Sequence, residues 1–510
     1  MEPAPRSPTR HATTDTYWLT RFVMLRWFGF IYLVAFYVAA RQLVPLVGAN
    51  GLTPAPLFFN QLRGSLGSSW DGFLALPSIF WINCSNTWLQ VVPWIGVALS
   101  CVMLAGYANA VMLAVMWMLY MSIVHVGQSW YGYGWEIQML ETGFLAIFLC
   151  PLLDARPFPG RAPPLPVIFL FRWLIVRIML GAALIKLRGD SCWTDLTALY
   201  YFFETQPIPN PISSWFHFLP HPLLKFGVIV TFVVELGAPW FVFWPRWGRY
   251  IAGTLIIGFQ FTLIISGNLS FFNWLTILPA LACFDDRFWR WILPARLAAW
   301  ADEARQNARP DKVMVGISWG VAGLVAFLSL NVVINLLSSE QAMNTSYDRL
   351  HLVNTYGAFG TVGRERPVII FEGSDGSDPG TATDWKEYPY VGSPWDPARP
   401  PPLIAPYQPH LDWQLWFAAM ATPNEYPWTL NLVWKLLHND PAMLGLFAGN
   451  PFPDHPPRYV RAVLYNYHFA QPGNPEHVYW TRDRLGLWLP ALSVDNADFQ
   501  RLLRQEGWIK

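Results

Sequence analysis

The sequence predicts an α-helical polytopic membrane bundle of about nine spans, followed by a soluble α+β domain. Three observations predict it. Of 510 residues, 54% are hydrophobic and only 13% are charged, where a soluble domain carries about 25% charged residues. Apolar runs long enough to cross a bilayer recur between residues 22 and 337. After residue 337 no such run remains, and Pro, Asp, Gly and Trp become frequent. The 29 Trp and 20 Tyr suit aromatic belts at the membrane interface. A net charge of +1 without any Lys/Arg-rich block gives no electrostatic footprint for nucleic acid.

Residues 1–21 are polar and form an N-terminal tail. The apolar run that follows is too long and too Arg-interrupted for a cleavable signal, so it is a retained first helix. The expected spans are 22–40, 88–104, 106–126, 138–153, 165–186, 226–244, 250–267, 269–284 and 313–336, within a bundle of residues 22–337. With the N-terminus cytoplasmic, the inner segments hold Arg6, Arg10, Arg21, Arg156, Arg161, Arg246, Arg249, Arg287, Arg290, Arg296, Arg305, Arg309 and Lys312. The outer loops hold Arg41, Arg63, Lys186, Arg188 and Lys225. This excess of inner positive charge agrees with an odd span count and places residues 338–510 on the outer side. Arg exceeds Lys, and Pro and Ala are abundant. That usage resembles a GC-rich bacterial genome and suggests a bacterial inner membrane with a periplasmic C-terminal domain.

Within 338–510, LHLVNTYGAF and RPVIIFEGS read as strands, with DGSDPGTATD as a hairpin-like loop before WKEYPY. DWQLWFAAM and WTLNLVWKLLHN read as amphipathic helices, and RYVRAVLYNYHFA as a further strand. Trp385, Glu387 and Tyr388 of WKEYPY suit a core or docking role.

Charge inside the apolar runs is the chief clue to a site, because ionisable groups at membrane depth are costly and usually face a protein interior or wet cavity. Arg26, Glu136, Glu141, Arg172, Arg177, Lys186 and Glu235 lie in or beside these runs. Five residues turn a helix by about 140°. Arg172 and Arg177 therefore meet different neighbours, as do Glu136 and Glu141. Structural ion pairs inside the bundle are one reading of this polar network. An outward-opening polar cavity, with Lys186 and Arg188 at its mouth, is the other. Lys186 ends the apolar GAALIK run; desolvation would make it a base, whereas snorkelling would make it an anchor. Lys186 and Glu235 are the catalytic candidates if the bundle does chemistry. The outer stretch after Lys186 carries Arg188, Asp190, Trp193, Asp195, Glu204 and Asn210 before the Pro-broken QPIPNP.

His125 and Gln128 sit at an outer helix end, where a hydrogen-bonded structural role is the simpler reading. Asn83, Asn268 and Asn344 begin glycosylation triplets, relevant only in a secretory host. The five cysteines show no CxxC or Cys/His metal spacing. Cys84 and Cys192 fall in loops on the same expected side, so a disulfide between them is an alternative to two free thiols. No HExxH, GxSxG, GxGxxG or P-loop occurs, and no metal or cofactor is expected.

Several long, irregular stretches match a known family: YWLTRFVMLRWFGFIYLVAF, VGANGLTPAPLF, YGWEIQMLETGFLAIFLCP, LIKLRGDSCWTDLTALYYFFETQPIPNP, KFGVIVTFVVELGAPWFVF, SGNLSFFNWLTILPALACFDD and FEGS followed by WKEY. RPPPLIAPYQPHLDWQLWFAAM and NPFP continue the match. Along nearly its whole length the chain resembles the lipase maturation factor family. The resemblance implies an endoplasmic-reticulum membrane protein, with a lumenal C-terminal domain, that helps exported lipases such as lipoprotein lipase fold and assemble. A more distant likeness is to the transmembrane domain of vitamin K-dependent gamma-glutamyl carboxylase, whose base is a Lys of a Lys-Lys-Leu stretch. Lys186 stands alone at the comparable place. The first reading is therefore a non-enzymatic maturation factor with the bilayer and an exported lipase as partners. The alternative is a membrane-embedded enzyme using a polar pocket near Lys186. Intramembrane charge alone would support a transporter, and no inverted repeat is visible.

Overall fold

A computed structural model describes residues 15–509. Most of the expected N-terminal tail, including Arg6 and Arg10, therefore lies outside the described residues, and the first helix, Trp18–Val47, begins before residue 22. Among the described residues, six helices are long and apolar enough to cross a membrane: Trp18–Val47, Asn86–Ala105, Leu165–Arg188, His221–Phe241, Arg246–Ser266 and Lys312–Leu337. Leu165–Arg188 is the most buried of them and Lys312–Leu337 the least. Trp240, Trp244, Trp247, Trp319 and Phe327 are exposed, as expected for side chains that face lipid.

The other three expected spans fall on shorter helices. Ala110–Val126, Gly134–Ile147 and Phe272–Leu281 have 17, 14 and 10 residues. At 1.5 Å per residue they reach about 26, 21 and 15 Å, short of the roughly 30 Å hydrocarbon core. Two of them are interior elements: Gly134–Ile147 buries both Glu136 and Glu141, and nearly all of Phe272–Leu281 is buried, whereas Ala110–Val126 exposes Val111 and Met118. Helix ends at membrane depth are tolerated where protein surrounds them.

His221–Phe241 is irregular for a local reason. It is α-helical to Phe232, π-helical over Val233–Gly237 and 3₁₀ over Ala238–Phe241. Pro239 has no N–H to give the carbonyl of Glu235, four residues earlier, so the regular ladder fails there. The widened turn holds Glu235.

The C-terminal region carries one four-stranded antiparallel sheet, β1 Pro367–Ser374, β2 Lys386–Glu387, β3 Tyr459–Phe469 and β4 Trp480–Leu492, in the order β2-β1-β3-β4. Pro367 faces Asn466 and Ser374 faces Tyr459 across β1 and β3. Helices His410–Ala418 and Trp428–Leu436 occur where expected. The expected LHLVNTYGAF strand does not form, apart from an isolated bridge between Ser346 and Asn354; its polar groups are used elsewhere. β4 was not anticipated, because its charged Arg482, Asp483 and Arg484 hide the alternation.

One apolar cluster runs from Trp18 through the bundle to Leu503, and a smaller one gathers Cys192, Trp193, Phe202, Phe203, Leu224, Val228 and Val362. All five cysteines are free. The Cys84–Cys192 disulfide, the alternative to two free thiols, is absent: Cys192 is buried in the smaller cluster, while Cys84 packs against the main one. Asn268 is buried, so its triplet is closed to glycosylation.

Inside the C-terminal region, Asp412 accepts N–H groups from Gly392 and Ser393 at 2.7 Å each. Burial nevertheless pushes its carboxyl up to about 6. The folded state then holds the proton more tightly than the unfolded chain, whose carboxyl titrates near 3.8. This stabilisation is complete below the unfolded value and is lost as pH rises through about 6. Thermal unfolding is expected to show stability falling between about pH 4 and pH 6, by about 3 kcal/mol at most, and Asp412→Asn should flatten that slope.

Candidate functional site

The expected network of intramembrane charges is several separate contacts. Arg26 reaches the carbonyl of Gly106 and stacks on the Phe22 ring. Glu136 accepts from the Tyr120 hydroxyl. Arg172 donates to the Ala282 carbonyl at 2.9 Å and to the Tyr17 hydroxyl at 2.8 Å. Arg177 pairs with Glu141. Glu235 pairs with Lys186. Arg172 and Arg177 do meet different neighbours, as their angular offset requires.

The Glu141–Arg177 pair is the centre of the site. Both side chains are 1% exposed. A buried ion pair stabilises only when its remaining hydrogen-bonding capacity is also filled. Here the chain beyond the last long helix returns to fill most of it, with the Arg177 Nε left unpartnered among the described residues. Glu141 Oε2 accepts from the Asn354 backbone N–H at 3.0 Å, the Asn354 Nδ2 at 3.1 Å and the Tyr356 hydroxyl at 2.7 Å. Arg177 donates to the Asn354 carbonyl at 3.0 Å. Gly181, one turn further along, lies so close to Tyr356 that a Cβ would run into the Tyr356 carbonyl oxygen.

The 186–210 stretch forms a socket for this returning chain. Arg188 donates to Gln341 Oε1 and to the Leu336 carbonyl, both at 2.8 Å. Asp190 caps Ser191–Thr194 and accepts from Arg364 at 2.8 and 3.0 Å. That guanidinium holds the Asp190 carboxyl well below the usual range. Trp193 Nε1 donates to the Phe359 carbonyl at 2.8 Å. Glu204 accepts from the Phe469 N–H at 2.7 Å and contacts His468 Nδ1 at 3.1 Å, both on β3. Asn210 donates to the Ile265 carbonyl at 3.0 Å. Asp195 is exposed and stands outside the socket.

Lys186 is engaged rather than free. Its Nζ donates to both Glu235 carboxylate oxygens, at 2.7 and 2.8 Å, and to the Ala182 carbonyl at 3.4 Å. All three N–H donors are used, and the cation lies 5.3 Å from the Trp193 ring centre.

Docking continues at the ends of other elements. Gln42, on the first helix, donates to Tyr407 and to the Gln408 carbonyl and accepts the His410 N–H at 2.9 Å. Asn431 donates to the Gly51 and Leu52 carbonyls. The buried Arg366 guanidinium donates to the carbonyls of Glu204, Gln206 and Pro207. Burial pulls its guanidinium down to about 9, still charged at neutral pH. His125 contacts the Pro77 carbonyl at 2.6 Å and His351 at 2.9 Å, and Gln128 holds Thr53. Tyr388 is buried, Glu387 holds Arg482, and Trp385 lies under the Arg461 guanidinium.

Asn354, Tyr356, Arg366 and Gln42 were missed as site residues. The available signal was polar Asn354 and Tyr356 inside an apolar run, followed by the Gly357, Gly360, Gly363 series, which lets backbone approach closely. Among the described residues, no three His, Cys, Asp or Glu side chains converge as metal ligands.

Glu141→Gln, which strands a buried Arg177, is expected to lower stability by about 3–5 kcal/mol. Adding Arg177→Met should recover most of the loss. Thermal unfolding in detergent checks both. Gly181→Ala should expose residues 343–357 to limited proteolysis while the bundle stays intact.

Comparison with known proteins completes the picture. A lipase maturation factor transmembrane domain matches residues 19–291, and a lipase maturation factor C-terminal domain matches residues 352–490. Lipase maturation factor 1 of Homo sapiens is 42% identical over 99% of this chain and 93% of its own length. Its Mus musculus counterpart is 43% identical over 98% and 91%. Lipase maturation factor 2 of Homo sapiens is 27% identical over 96% and 85%. These relatives are eukaryotic, so the comparison lends nothing to a bacterial inner membrane. No solved structure matches.

Proposed function

The chain belongs to the lipase maturation factor family, and from that membership we propose that it is a membrane-anchored factor assisting the folding and assembly of exported lipases. The observation that carries this reading is 42% identity across 99% of the chain to a protein named for lipase maturation. Its membrane is the one at which exported lipases fold, and we place residues 338–510 on its lumenal side, which the excess of inner positive charge favours and which, with a cytoplasmic N-terminus, requires one shorter apolar helix, such as Ala110–Val126, to cross beside the six long ones. The docked C-terminal region is the working surface. Leu403, Leu485, Leu487 and Leu502 stand exposed there, and apolar surface of this kind suits an incompletely folded client. The spent donors of Lys186 argue for a binding rather than a catalytic role of the bundle.

The test is the specific activity of an exported lipase, per folded molecule, in cells lacking their own factor. The full chain should restore activity, and a chain lacking residues 338–510 should not. Lys186→Met combined with Glu235→Leu replaces the buried pair by apolar groups and should keep most of the rescue. If that double variant folds and rescue is lost, the bundle performs chemistry and the reading fails.

A further inference from the structure

Two cavities lie where the bundle meets the C-terminal region, and they share a wall. The outer one, about 450 Å³, is bounded largely by Trp135, Trp413, Trp416, Phe417 and Met420. The inner one, about 60 Å³, is lined at its polar end by Lys186, Glu235, Gln260, Asn273 and Thr276. Phe202, Leu269, Phe272, Ala358 and Phe359 belong to both. A pocket of this size with apolar walls and a few polar groups is of ligand-binding type.

The polar end is specific. Asn273 Nδ2 donates to Gln260 Oε1 at 2.8 Å. Both residues are almost wholly buried, at 2% and 4% exposure. Gln260 Nε2, a donor, and Asn273 Oδ1, an acceptor, have no hydrogen-bond partner among the described residues, and neither is among the polar atoms sealed off from space. Exchanging O and N on both amides would leave the same complement, one donor and one acceptor. Buried polar groups of this kind call for a partner. A group that both gives and takes a hydrogen bond satisfies them, and a hydroxyl is the simplest. A carboxylate offers no donor and would lie near Glu235, whose counter-charge Lys186 is already engaged. A bulky charged headgroup does not fit about 60 Å³.

We propose that the junction binds an uncharged, hydroxyl-bearing lipid with one hydrocarbon chain, the chain filling the outer cavity and the hydroxyl bonded to Gln260 and Asn273. The setting agrees: the long helix Arg246–Ser266, which carries Gln260, provides part of the inner wall, so a membrane lipid has a short path to the site. The site is independent of any lipase client.

The test uses the full chain in phosphatidylcholine vesicles with a photoactivatable monoacylglycerol bearing the reactive group on its acyl chain. A fatty-acid probe of equal chain length, ionised at pH 8, is the comparison. Monoacylglycerol should label peptides containing Phe202, Phe272 or Phe359, and unlabelled monoacylglycerol should compete. Ala358→Trp, which fills the shared wall, should reduce this labelling about tenfold, and the milder Ala358→Leu should reduce it in the same direction. Asn273→Leu and Gln260→Leu should each reduce the preference for monoacylglycerol over the fatty acid by up to about tenfold, the factor one hydrogen bond commands. Labelling confined to the lipid-facing helix Lys312–Leu337, or unchanged by folded Ala358→Leu, overturns the site. Labelling at the site with a preference unchanged by Asn273→Leu overturns the hydroxyl assignment, leaving water on the amide pair. No arm of the experiment involves lipase maturation, so its failure is separate from failure of the proposed function.

Discussion

The burial of Glu141 against Arg177 is the constraint on which the rest of the structure depends. Two opposite charges removed from water inside an apolar bundle gain from their attraction, but desolvation offsets that gain unless most of the remaining lone pairs and protons are matched. The matching groups come from Asn354 and Tyr356, more than two hundred residues beyond Glu141. The bundle interior is therefore complete only when the chain has left the last long helix, turned back and inserted its own backbone. Gly181 permits that approach because it has no Cβ to meet the Tyr356 carbonyl. A boundary drawn at residue 338 separates long helices from polar sequence, yet physically the stretch from Gln341 to Arg366 belongs to both parts.

What could be read from the sequence follows from how local each signal is. Long apolar runs, the angular offset of Arg172 from Arg177, β1 and β3, and the helices starting near His410 and Trp428 are all set by neighbouring residues, and all were legible. Failures arise where a distant partner decides. Gly134–Ile147 resembles a span because its apolar residues are buried, but the element it builds is short and surrounded by protein. LHLVNTYGAF has strand composition, and Asn354 and Tyr356 are drawn off it by a carboxylate no local rule could reveal. Cys84 and Cys192 share an expected side of the membrane, but side is a one-dimensional coordinate, and the two residues pack in different clusters.

The 186–210 stretch shows how residues that suggest chemistry can be structural. Lys186, Arg188, Asp190 and Glu204 are the types an active site would use. Each is engaged by a specific partner: Glu235, Gln341, Arg364 and the Phe469 amide. Pro239 sets the first of these. By withholding an N–H from the Glu235 carbonyl it favours the π turn that carries the carboxylate, so a backbone irregularity in one helix fixes the charge at the end of another.

These attachments bear on how the outer region behaves as a body. Glu204 holds β3, Arg366 grips the carbonyls of 204–207, Gln42 ties the first helix to residues 407–410, and Asn431 holds the turn at Gly51. A domain on one linker can swing, whereas one fixed at four places to three separate segments cannot rotate about any single contact without breaking the others. Each broken contact strands a buried donor or acceptor, and stranding such a group costs more than forming the bond gains. The sheet is consequently held at a fixed height and orientation on the bundle. For a factor proposed to act on exported lipases, that rigidity presents apolar surface to a client without spending conformational entropy on arranging it. On that proposal the bundle, whose Glu141–Arg177 and Lys186–Glu235 pairs are internal, serves to hold the outer surface in place.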